Sequence, residues 1–162
     1  VSPGYADRDA VRGDQSHSGT RSGRPEAAQD DGRLYRAFQG KITELVKACS
    51  DDEQMEPFIE PLKRVSKKLT EMTMELGAKA AEDREQAGAV ASNFLRYFAL
   101  TAIAYAWARQ IKYALDEDHP KLETKMKTAR YFFDVLLPET RKLSSVVEAG
   151  KEPMMAFDRS EF

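Results

Sequence analysis

Few side chains in this sequence are placed for chemistry, and their spacing decides what each could do. Asp116 and His119 stand three apart, the i, i+3 spacing with which helical bundles hold metal. Such sites need paired Glu-x-x-His motifs, and the only other histidine is His17, in a segment with no helical pattern. The pair therefore reads as a surface junction between helices. Cys49 is the only cysteine, which excludes an internal disulfide and a cysteine-based zinc site. It closes an amphipathic stripe and reads as a small core or boundary residue. Tyr105 and Trp107 could stack on a planar ligand, but on an alanine-rich helix they read as core or interface anchors. Lys63, Arg64, Lys67 and Lys68 cluster without interleaved aromatics and read as a solvated face. No P-loop, G-x-G-x-x-G or G-x-S-x-G pattern occurs. From the residues alone, no catalytic residue, cofactor or metal is expected in this chain.

The elements that would position these groups are helical. The 162 residues amount to one ordinary domain, long enough to bury a core without covalent staples. Charged residues make up 32% of the chain at a formal net charge of −2, so no broad field favours nucleic acid or an acidic membrane. The uncharged run Tyr97–Ala108 is 12 residues, about 18 Å as a helix, against roughly 20 residues needed to span a bilayer. It is expected to be a buried central helix, with no membrane span. The absence of an apolar leader in the sequence, with a single cysteine, fits a cytoplasmic location.

Residues 1–30 hold no Leu, Ile, Met, Phe or Trp and four of the nine glycines. Such a segment cannot offset its ordering entropy, and a disordered tail is expected there. The domain is expected over 31–162. A first helix opens after an Asp30 or Asp31 cap and carries Leu34, Phe38, Ile42, Leu45 and Cys49 on one face. Ser50–Glu53 ends it, and Pro57 starts a second helix with Phe58, Leu62, Val65, Leu69, Met72 and Leu76 inward. A third runs from Glu85 to about Asp116, where the apolar residues Phe94, Leu95, Phe98, Ile103, Tyr105 and Trp107 spread round more than one face. A helix apolar nearly all round is surrounded by partners, with Arg109 and Lys112 marking its exit into water. Gly88 costs about 1 kcal/mol of helix propensity, which close packing is expected to offset. A fourth helix from Pro120 to Glu148 carries Leu122, Met126, Ala129, Phe133, Leu136, Leu143 and Val147, kinked at Pro138. Gly150 and Pro153 end it, and Met154, Met155, Phe157 and Phe162 are expected to fold back onto the bundle. The fold class is all-α, an up-down-up-down four-helix bundle with a disordered N-terminal tail.

Four segments in order carry a family resemblance: "DDGRLYRAFQGKI", "ASNFLRYFALTAIAYAWAR", "KMKTARYFFDVLLPE" and "AGKEPMMAFDRSEF". The most specific pieces are Trp-Ala-Arg at 107–109, Lys-x-x-Thr-Ala-Arg-Tyr-Phe at 125–132 and Leu-Leu-Pro at 136–138. Together, residues 31–162 resemble the extreme C-terminal helical region of bacterial acyl-CoA dehydrogenases, in the larger subgroup with an additional domain there. The resemblance implies a parent oxidoreductase of fatty acid metabolism that holds FAD. In it, a glutamate takes the α-proton of an acyl-CoA while flavin takes the β-hydride. It also implies that the flavin and catalytic motifs lie in other domains, since no position here matches them. Catalytic, cofactor-binding and metal residues are accordingly none. The candidate packing and interface residues are Phe94, Phe98, Tyr105, Trp107, Arg109, Phe132 and Phe133. The implied partner is the catalytic part of such an enzyme or a second copy of the chain.

Members of this group reach "DDGRLY" through a segment like "IQALDLVGRKLP". Residues 17–28 read "HSGTRSGRPEAA" instead, and one allowed coding of them gives "IQALDLVGRKLP" when read one base later. Residues 1–28 are thus expected to be an out-of-frame reading of such a gene, making the chain a fragment. Two alternatives remain, a free-standing interaction bundle and a small acyl-ligand binder built round Tyr97, Tyr105 and Trp107. A severed domain exposes an apolar face where its parent packed; a free-standing bundle shows charge there; a ligand binder holds a pocket of at least about 300 Å³.

Overall fold

The computed structural model describes residues 32–157 and 159–161. The expected tail, its Asp30 or Asp31 cap and the terminal Phe162 lie outside the described residues, as does the segment assigned to another reading frame. What is described is helical throughout, with no strand among the described residues.

Helix α1 (Arg33–Ala48) is amphipathic. Its inward side runs Tyr35, Phe38, Ile42, Leu45 and Cys49, with Ile42 and Cys49 buried. Leu34, expected on this stripe, is instead exposed. The stripe is phased from Tyr35, which is anchored through its hydroxyl to Thr70 Oγ1 at 3.0 Å. Helix α2 (Glu56–Glu82) begins at a buried Met55 and takes Pro57 in its first turn, where the missing N–H was an orphan anyway. Phe58, Ile59, Leu62, Val65, Leu69 and Met72 are buried along it at spacings of three and four. Asp83 then serves two helices at once. Its amide closes α2 on the Lys79 carbonyl at 2.8 Å, and its carboxylate caps α3 by accepting from the Glu85 amide at 2.9 Å.

Helix α3 (Arg84–Asp116) is the spine, packing against α2, α4 and α5. Its buried positions Val90, Tyr97, Thr101, Ala104, Ala108 and Ile111 follow the 3-4 alternation of a packing seam. Small residues at 101, 104 and 108 bring neighbouring backbones close, and α2 fits there.

The fourth helix is broken rather than merely bent. Helix α4 (Leu122–Tyr131) passes into a π-turn over Phe132–Leu136, and α5 (Glu139–Ala149) resumes after Pro138. The Leu137 amide reaches back five residues to the Phe132 carbonyl at 2.8 Å. Pro138 has no N–H and its ring would press on the carbonyl four residues before it, so a wider turn relieves both. The extra residue in that turn changes the phase of the stripe. Leu136, expected to face inward, is exposed, and Leu137 is buried in its place.

Gly150 ends α5 at φ +70°, ψ −150°, a conformation that only glycine adopts freely. A short helix α6 (Glu152–Met155) follows. Polar contacts hold it to the α2–α3 elbow: Lys151 Nζ pairs with Asp83 and with Glu85 at 2.9 Å, and Gln86 Nε2 donates to Glu152 Oε1 at 2.6 Å. Of the residues expected to return to the bundle, the side chain of Met154 and all of Phe162 lie outside the described residues. Met155 and Phe157 are mostly exposed, because the ion pairs fix this backbone without burying those side chains.

Candidate functional site

The uncharged run of α3 splits into faces with different surroundings. Tyr97, Thr101, Ala104 and Ala108 lie in the core. On one side of that seam, Phe94, Phe98 and Tyr105 are half-buried. Phe98 and Tyr105 meet α1: ring centroids are 5.3 Å apart for Phe38–Phe98, 6.5 Å for Tyr35–Phe98 and 5.9 Å for Phe38–Tyr105, the last edge-on. Trp107 is likewise half-buried against the core.

The remaining side is open. Leu95 is 67% exposed, Ile103 43% and Tyr113 62%, and Ala99 and Ala106 are exposed between them. At 100° per residue these positions fall opposite the Tyr97–Ala104 seam. The expectation that α3 is surrounded by partners is thereby corrected: alanine and threonine carry the inward face, leaving leucine and isoleucine on the outward one. A shallow groove of about 370 Å³, lined by Tyr105, Ala106, Arg109, Gln110 and Tyr113, lies on this side. Of the candidate residues, Arg109 sits there and is exposed.

Phe132 and Phe133 are placed elsewhere. Both are buried at the π-turn, 5.6 Å apart and edge-on, with Phe133 also 5.4 Å from Phe58. The structure thus divides the seven candidates into two buried rings at the π-turn, two rings under α1 (Phe98 and Tyr105), two half-buried against the core (Phe94 and Trp107) and one surface arginine. Leu95, Ala99, Ile103, Ala106 and Tyr113 were missed as a group. Their signal was present in the sequence, since they recur at three, four and seven residues within a stretch nearly free of charge.

Charges are confined to the borders of the open face. Arg96 makes a bidentate pair with Glu139 of α5, Nε to Oε1 at 2.6 Å and Nη2 to Oε2 at 2.8 Å, and this pairing holds the Glu139 carboxyl below its usual range. Lys112 is paired with Asp116 one turn later. The Asp116–His119 spacing does not mature into a site: His119 Nδ1 accepts the Lys121 amide at 3.1 Å, turning the chain into α4. Groups of three or more His, Cys, Asp or Glu that could surround a metal do not occur among the described residues. Cys49 is buried, and burial, more than any neighbouring charge, raises its thiol pKa and keeps it in the unreactive form.

Buried polar groups are satisfied internally. Tyr97 donates to the Val65 carbonyl at 3.2 Å, Thr101 to the Tyr97 carbonyl at 3.1 Å, and Thr140 to the Leu137 carbonyl at 2.6 Å. Ser66 donates to Gln39 Oε1 at 2.6 Å, tying α2 to α1. No buried side-chain nitrogen or oxygen lacks a partner among the described residues. The polar groups of the core are therefore satisfied, whereas the α3 face leaves a stripe of apolar side chains uncovered. Among the described residues, no helix is long and apolar enough to cross a membrane.

The family model described as acetyl-CoA dehydrogenase C-terminal like matches residues 38–158. Comparison with the curated proteins finds no match.

Proposed function

Because the chain belongs to the acetyl-CoA dehydrogenase C-terminal-like family, we propose that it is a non-catalytic helical packing and assembly element of an FAD-dependent acyl-CoA dehydrogenase. The outer face of α3 seats against the flavin-bearing part of such an enzyme, which supplies the cofactor, the glutamate base and the acyl-CoA site. The observation that carries this reading is the open stripe Leu95–Ala99–Ile103–Ala106–Tyr113 on a helix whose opposite side is fully packed. A free-standing bundle would place charge at those positions.

Co-expression with the FAD-binding and catalytic part of an acyl-CoA dehydrogenase of this family tests the reading. The chain should co-purify stoichiometrically, and Leu95→Glu with Ile103→Glu should abolish this while leaving helicity unchanged. By itself, the purified chain incubated with FAD and freed of excess should carry no stoichiometric flavin absorbance. Flavin retained by the chain alone, or assembly indifferent to the double substitution, would overturn the proposal.

A further inference from the structure

A second feature lies apart from the α3 stripe. A cleft of about 460 Å³ opens where α2 passes the π-turn and the start of α5, within the roughly 300–1,000 Å³ range of small-molecule sites. Its floor is apolar and buried, formed by Val65, Tyr97, Phe133 and Leu137. Its mouth is basic: Arg64 and Lys68 from α2 and Arg141 from α5, against one carboxylate, Asp134.

The cations differ in what already holds them. Lys68 is committed to Glu148 and, at 3.7 Å, to Glu71. Arg64 and Arg141 pair with no carboxylate among the described residues, although each belongs to a chain segment rich in acids. Two unpaired guanidiniums from different helices thus flank one recess. Guanidinium forks match planar or tetrahedral oxyanions in two-point contact. The backbone is irregular on both walls as well. Pro61 interrupts the hydrogen-bond ladder of α2, and the π-turn with Pro138 interrupts the fourth helix. Breaks of the second kind concentrate at functional sites, and here they leave space where two regular helices would close together.

We propose that this cleft binds a small amphiphilic anion, a carboxylate or related oxyanion carried on an apolar body. The apolar body rests on Tyr97, Phe133 and Leu137, and Arg64 and Arg141 hold the charged end. The Tyr97 hydroxyl is already engaged with the Val65 carbonyl, so its ring is the part offered to the apolar body.

The test uses the full chain and three probes: 1-naphthoate, its neutral analogue 1-naphthalenemethanol, and inorganic phosphate. Amide and aromatic NMR shifts should saturate with 1-naphthoate and map to Tyr97, Phe133, Leu137 and Thr140. The neutral analogue should bind at least tenfold more weakly, and phosphate at equal concentration should not displace naphthoate. Arg64→Gln with Arg141→Gln should weaken naphthoate at least tenfold with an unchanged urea midpoint, while Lys121→Gln, outside the cleft, should not. The proposal is overturned by absent saturation, by equal affinity for the neutral analogue, by displacement with phosphate, or by a double variant that binds as wild type does.

Discussion

Replacing Tyr97 with phenylalanine separates what its ring contributes from what its hydroxyl contributes, and pH turns the balance over. The side chain is 2% exposed, and its hydroxyl donates to the Val65 carbonyl at 3.2 Å. At neutral pH Tyr97→Phe keeps the packing and loses one rather long hydrogen bond, for a loss of about 0.5–1.5 kcal/mol. Burial first, then the charges of Glu71 and Glu148, push the phenol up to about 12, from an ordinary value near 10. A raised folded pKa means the native state favours the neutral phenol. That contribution is complete below about pH 10 and is lost as pH climbs through about 12. With those two values, linkage removes on the order of 1 kcal/mol at pH 11 and on the order of 2 kcal/mol at pH 12. The variant has nothing to ionise there, so the two stabilities should cross between about pH 10 and about pH 11, and above the crossing the phenylalanine protein should be the more stable. Urea unfolding of both proteins at half-unit steps from pH 8 to 12 measures the difference. Lys68, Lys112 and Lys151, whose ion pairs raise them, titrate in both proteins and cancel. A difference that stays flat from pH 9 to 12 would refute the buried-phenol account.

Glycines at two positions should respond in opposite directions. Gly88 faces open space, with nothing within 4 Å of an added Cβ, so Gly88→Ala should raise the urea midpoint by the equivalent of about 0.5–1 kcal/mol. Gly150→Ala forces alanine to φ +70° and sets its Cβ 2.6 Å from Glu152 Oε2 and 2.7 Å from Gln86 Oε1. It should cost about 1–3 kcal/mol, with faster proteolysis beyond Ala149 as the local sign. Ala104→Leu crowds the fully buried α2–α3 seam and should destabilise by about 1–3 kcal/mol, whereas Ala106→Leu on the open face should change the urea midpoint by less than about 0.5 kcal/mol.

The helices were legible because their burial is periodic. Phe58, Leu62, Val65, Leu69 and Met72 sit at 3-4 spacing and are all buried, and α3 begins at Arg84, one residue before the expected Glu85. Pro138 announced a break but not its form. A kink and a π-turn remove the same hydrogen bond, and choosing between them depends on which of Leu136 and Leu137 the core accepts. The expected role of Gly88 failed for a related reason: a small residue permits close packing without requiring it, and here no neighbour comes near. The C-terminal anchor was invisible because Asp83 and Lys151 are 68 positions apart and ordinary in type. The division of α3 into inward and outward faces needed one further fact, that alanine and threonine can be the buried side when two backbones approach closely.

That inversion bears on how the whole chain is used. On α1 the exposed side carries Arg36, Lys41, Glu44 and Lys47, and on α2 it carries Lys63, Lys67, Glu71 and Glu75. Apart from Leu34 and Met74, the large exposed side chains of both helices are polar. On α3 the equivalent positions from Leu95 to Ala106 hold Leu, Ala, Ile and Ala, with charge returning only at Arg96 and Arg109 on the borders. Composition alone cannot explain the difference, because the chain is 32% charged and spends that charge freely on the neighbouring helices. Helix propensity does not explain it either, since lysine and glutamate would serve at those sites nearly as well as leucine and better than isoleucine. An exposed β-branched isoleucine between alanines has no advantage to the isolated fold, and gains one when another surface covers it. Small residues recur on both sides of α3: Thr101, Ala104 and Ala108 let α2 approach the inner side, and Ala99 and Ala106 are low points between Leu95, Ile103 and Tyr113 on the outer one. Under the proposed packing role, this open face of α3 is where the catalytic part of the enzyme would seat, giving the helix its second contact.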